Sequence, residues 1–129
     1  MIRATIALLA IVSGCQQDET VAAYGPVDVT WQLSSLNGAP FNARANITFT
    51  EGGNFSGQAP CNSFSSASSL PYPWFEAGPI LASKAACPEL AEETAFFKAL
   101  SSMSRAIFDN GQLAMANDEG GEMVFTASE

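Results

Sequence analysis

The 129-residue chain contains no histidine. That absence removes the usual general base of enzyme catalysis and a principal ligand of zinc. Positive charge is scarce as well, with five Lys and Arg residues against thirteen Asp and Glu. Phosphate recognition rests on cationic contacts, so a nucleic-acid partner is excluded on charge, and charge-driven binding to anionic lipid headgroups is disfavoured. The acidic excess has a simpler meaning, which is solubility. No apolar run approaches the roughly 20 residues that a membrane-spanning helix needs. Cysteine occurs only at positions 15, 61 and 87. Without histidine these cannot supply the roughly four ligands of a zinc site, and no cofactor or metal is implied.

What is present begins with "MIRATIALLAIVSGC". One cation, a short apolar core from Ile6 to Val12 and small residues before a cysteine form the pattern of a secretory signal peptide. "VSGC" resembles a bacterial lipobox. The resemblance implies lipidation of the Cys15 sulfur, cleavage after Gly14 and acylation of the new N-terminus. Residues 1–14 are then the leader and 15–26 a lipidated, flexible tether. More than one acyl chain holds a protein stably on a membrane without spanning it. The expected location is a bacterial cell envelope, lipid-anchored and periplasm-facing. Gln16, where an aspartate would retain the chain at the inner membrane, favours the outer one.

An exported chain matures in an oxidising compartment. With Cys15 carrying lipid, Cys61 and Cys87 are left as an even pair, which reads as one disulfide. Buried free thiols are the alternative. A nucleophilic role lacks a base and an orienting group.

Residues 27–36, "VDVTWQLSSL", alternate apolar and polar, the period of a half-buried strand. Asn37-Gly38 then marks a turn. "ANITFTEGGNFSGQ" reads as a hairpin turning at Glu51-Gly52-Gly53. "CNSFSSASSL" continues extended with Phe64 inward. The three prolines of "PYPWFEAGPILASKAAC" restrict that stretch to short or edge pieces, around Phe75 and residues 80–82. Pro88 fits the first turn of a helix, with Glu89, Glu92 and Glu93 at its positive end. That single helix is placed at 88–102, with Leu90, Phe96, Phe97, Leu100 and Met103 as its apolar stripe. Three short strands follow, turning at "DNG" and "NDEGG". Many short antiparallel strands with one helix give an α+β, mainly antiparallel, small barrel-like sheet over residues 27–127.

"WQLSSLNG", "ITFTEGGNFSGQAPCNSFS", "GPILASKAAC" before a Glu- and Phe-bearing helix, and the closing "GQLAMA" and "MVFTA" together resemble the META-domain family of bacterial HslJ-like lipoproteins. The resemblance covers about 27–127. Two places depart from it: Ala59-Pro60-Cys61-Asn62 stands where many members have Gly-Cys-Asn, and "LPYPWFEAGPI" replaces a shorter link. The resemblance implies a compact β domain with one helix and a loose tie to envelope stress. It implies no active site.

Candidate site residues follow. Tyr72, Trp74 and Phe75 form an aromatic cluster that can anchor a partner, against covering the barrel mouth. Asn62 reads as a cap on turn backbone, Trp31 as core, and Glu92 and Glu93 as a solvated helix face, since adjacent helical residues do not face each other. Asp109, Asp118 and Glu119 lack calcium-loop spacing and read as turn residues. The expectation is a non-enzymatic, membrane-anchored envelope lipoprotein that binds a protein or cell-wall component in support of envelope integrity. A small-molecule-binding barrel, which requires an apolar cavity open to solvent, is the alternative.

Overall fold

Alternating side chains need a second layer to bury one face, and here the sheet curls on itself to provide it. The computed structural model describes residues 17–26 and 28–128. In chain order it contains a one-turn helix α1 (Val21–Tyr24), strands β1 (Trp31–Leu36), β2 (Ala39–Pro40), β3 (Asn46–Phe49), β4 (Asn54–Gln58), β5 (Ser63–Ala67) and β6 (Leu81–Ala82), helix α2 (Leu90–Ser102), and strands β7 (Arg105–Asp109), β8 (Gln112–Ala116) and β9 (Glu122–Ala127). All ladders are antiparallel. The order is β6-β5-β4-β3-β1-β9-β8-β7, with the short β2 paired to β1. The α+β, barrel-like sheet with one main helix is therefore as expected.

No ladder joins the outer strands β6 and β7, so the sheet stays open. Residues 73–78 span the gap. On one side Trp74 bridges Arg105, the Phe75 N–H donates to Ser104 O (3.0 Å) and the Ala106 N–H donates to the Pro73 carbonyl (2.9 Å). On the other, the Gly78 N–H donates to Ala67 O (2.8 Å). The proline-rich insertion thus satisfies edge groups that would otherwise invite pairing with another chain. This corrects the expected strand at Phe75: only Leu81–Ala82 forms a true strand here. The first strand also begins late, at Trp31 rather than residue 27.

Inside lie Phe55, Phe75, Phe96, Phe125, Leu33, Ile47, Leu100, Leu113, Met115 and Met123, all fully buried. Helix α2 starts at Leu90, two residues past Pro88, and seals one end of the barrel through Phe96 and Leu100. Leu90, expected in the apolar stripe, is 44% exposed, because it lies in the first turn outside the core. Two glycines of "EGGNFSG" are required by space. A Cβ on Gly57 would lie 1.9 Å from the Asn46 carbonyl oxygen, and one on Gly53, whose φ is +83°, 2.0 Å from that of Ser68. Only glycine lets those backbones approach so closely.

The two ends of the barrel differ. One end gathers the start of β1, the β3–β4 turn, the end of β5, the β7–β8 turn and α1. The other holds the β4–β5 turn, the start of α2 and the β8–β9 turn. Residues 17–26 are not the free tether that the sequence led us to expect. Val21 is buried in the core, the Tyr72 N–H donates to Glu19 O (2.7 Å), and the Gly52 N–H donates to the Asp18 carboxylate (3.0 Å). Cys15 itself lies outside the described residues.

Candidate functional site

At the α2 end, β4 turns into β5 through Ala59-Pro60-Cys61-Asn62. Cys61 is disulfide-bonded to Cys87, with Cα atoms 5.5 Å apart. The bond ties this turn to the segment that leads into α2. Asn62 is buried, and both ends of its amide are used. Oδ1 accepts from Ser83 Oγ (3.0 Å) and the Ala85 N–H (2.7 Å), while Nδ2 donates to Ala85 O (3.0 Å) and Glu93 Oε2 (2.6 Å). Contrary to expectation, Asn62 does not cap its own turn: its amide holds the backbone of Ala85, 23 residues away, together with Ser83 and Glu93.

Glu93 overturns its expectation. Its exposure is 4%, and Oε1 accepts the backbone N–H groups of Cys61 (3.0 Å) and Asn62 (2.8 Å). Glu93, Phe96 and Leu100 share one helix stripe at spacings of three and four, so the carboxylate enters where a core side chain would sit. It also lies near the positive end of the helix dipole. Glu92, one residue back, is exposed as expected. The three donors directed at Glu93 make this a joint between turn and helix. The stripe spacing and the neighbouring Asn62 were the available signals, but neither alone distinguishes a core carboxylate from a solvated one.

The aromatic candidates separate by burial. Phe75 lies in the core, against Phe55 at 5.6 Å between ring centroids, and presents nothing to a partner. Tyr72 is half-buried, its hydroxyl accepts the Phe108 N–H (3.2 Å), and its ring stacks on Tyr24 (4.6 Å). Only Trp74 is open, at 52%. It sits opposite Arg105 across the bridge, with the exposed Ile107 one diagonal position along β7. Asp118 pairs with Arg105 (2.6 Å) at the α2 end, whereas Asp109 lies in the β7–β8 hairpin at the other end. Among the described residues no cluster of three or more potential ligands could hold a metal. At the α1 end the described residues form a solvent-open groove of about 1010 Å³ whose lining includes Ala22, Ala23, Phe49 and Pro71 beside Asp18 and Glu51.

A model of the META domain matches residues 26–129. The chain belongs to the META domain family. Similar solved structures include an NMR structure of a protein from Burkholderia xenovorans, 21% identical, which covers 83% of this chain and 86% of that one with a TM-score of 0.66. A crystal structure of a DUF4847 family protein from Bacteroides vulgatus is 17% identical, covers 75% and 90% of the two chains, and has a TM-score of 0.61. At such identities the likeness is one of fold. No curated protein matches the chain.

The META match starts at residue 26, and the docked segment 17–25 lies in front of it. With the β3–β4 turn it borders an open groove rimmed by Asp18, Glu19, Asp28 and Glu51. Asp18 is the fastener. The hydroxyl and backbone N–H of Thr20 and the backbone N–H of Gly52 all donate to its carboxylate. The Thr20 hydroxyl bond, then the Gly52 bond, holds its pKa below the ordinary aspartate value. A depressed carboxylate pKa stabilises the docked form above the unfolded value, and that stabilisation is lost as pH falls through the folded value. Amide exchange at Gly52 and Thr20 is therefore expected to lose protection below about pH 4. Asp18→Asn should leave both amides weakly protected at every pH. Equal protection in the variant and the parent at neutral pH would contradict the fastening role.

Proposed function

We propose that this META domain is a non-enzymatic, lipid-anchored envelope module whose outer β7 edge receives a protein or cell-wall partner. The observation that carries this reading is Trp74, a large aromatic ring held in the open by the bridging segment 73–78 beside Ile107 and Arg105. Rigid aromatics with arginine at their side are the residue types that dominate binding energy at interfaces. The backbone beneath them is already hydrogen-bonded, so little ordering cost remains to oppose binding. Absence of histidine and the closed Glu93 joint support a binding role over a hydrolytic one. Export, acylation of Cys15 and support of envelope integrity complete the proposal.

A photo-crosslinking residue at position 74 in intact cells is expected to capture a discrete partner or peptidoglycan fragments. The same residue at Leu81, an exposed position on β6, should capture neither. Identical capture at both positions, or capture at 74 that survives Ile107→Asp, would remove this surface from consideration.

A further inference from the structure

Cys15, taken as the acylated residue of the proposed function, is three residues from Asp18. Asp18 is fastened to Gly52, Glu19 to Tyr72, and Val21 is buried. The path from 15 to 18 therefore spans at most about 10 Å. A tether running from 15 to 26 would have reached roughly 40 Å. The longer barrel strands have five or six residues, about 17–20 Å. A leash shorter than the barrel does not let the domain turn over while α1 stays docked.

We infer that the domain stands on the lipid surface on its α1 end, with the α2 and disulfide end directed away from the bilayer. Tyr24 is 57% exposed at that end and is stacked on Tyr72. A tyrosine with an apolar body and a polar tip suits the boundary between headgroups and water. Charge selects the kind of surface. Asp18, Glu19, Asp28, Glu51 and Asp109 lie at the α1 end, whereas Arg44, Lys84, Lys98 and Arg105 all lie on the α2 side or along that helix. Among the described residues no cation faces the anchor. A leash of about 10 Å, close to the Debye length at physiological salt, holds Asp18 and the acidic α1 end near the headgroups, so the surface that fits is zwitterionic.

The inference rests on acylation of Cys15, and its test separates the two. The full acylated chain is placed in phosphatidylcholine vesicles carrying brominated lipid. Two variants in a Trp74→Phe background, Tyr24→Trp and Leu90→Trp, report on the two ends against the constant buried Trp31. Loss of fluorescence for Tyr24→Trp and none for Leu90→Trp is the expected result. A twelve-residue Gly-Ser insert after Gln16 should abolish the difference, and exchange of phosphatidylcholine for phosphatidylglycerol should weaken the quenching at 24. Equal quenching at both positions, quenching at neither, or an insert without effect overturns the orientation while acylation stands. Intact mass showing an unmodified Cys15 overturns both.

Discussion

Glu93→Ala is expected to destabilise the domain by about 3–5 kcal/mol, because it strips the acceptor from several donors at once. Three donors would lose their acceptor together: the Cys61 and Asn62 N–H groups and the Asn62 side-chain amide. Each buried donor left unpaired costs about 1–3 kcal/mol, and water can reach the vacated space only in part because Asn62 is itself buried. Glu93→Gln keeps one accepting oxygen but turns an NH2 group toward a donor. A smaller loss of about 1–2 kcal/mol is expected for it. Urea titration followed by tryptophan fluorescence measures both. An alanine variant within about 0.5 kcal/mol of the parent, as for a surface substitution, would show that the carboxylate is not a joint.

The paired substitution Cys61→Ser and Cys87→Ser should cost about 3.5 kcal/mol on the chain-entropy account of a closed loop, here of separation 26. Total stabilities of about 5–15 kcal/mol are usual, so the reduced domain has little reserve. Disulfide and carboxylate both hold Cys61 against the start of α2. Their losses should therefore fall short of additivity when combined, as happens when sites share a partner. Full additivity in the double-mutant cycle would mean that the covalent and hydrogen-bonded ties act on separate parts of the fold. Addition of reductant to the parent should reproduce the stability of the serine pair.

Much of the architecture was legible in local pattern. Alternation in "WQLSSL" and "EMVFTA", the turns at Asn37-Gly38 and Asn110-Gly111, and the run of helix formers after Pro88 located strands, hairpins and α2 to within a few residues. Position 62 was legible as a backbone-holding residue but not in its partner, since it grips Ala85 from 23 residues away rather than its own turn. The aromatic cluster was legible as a cluster but not as a surface. Phe75 and Trp74 are adjacent and equally apolar, and the strand-like backbone at the bridge sends one to the core and the other to solvent. Glu93 and Asp18 were missed for a shared reason. Each is an acidic residue whose contact to another element lies 31 to 34 residues away in sequence, although Asp18 also has Thr20 two residues on.

Residue pattern alone indicated the antiparallel sheet and the main helix, narrowed Cys61 and Cys87 to a disulfide or buried thiols, and suggested the family. Those properties follow from periodicity, turn chemistry and parity, which are written over a few neighbouring residues. Tertiary structure alone decided that Glu93 is buried, that Phe75 is core while Trp74 is open, that residues 73–78 bridge the outer strands, and that Asp18 draws the N-terminal segment onto the barrel. These outcomes depend on which donor or apolar wall arrives from a distant part of the chain. Desolvation of a side chain is set by its neighbours in space, and short-range order does not carry that information.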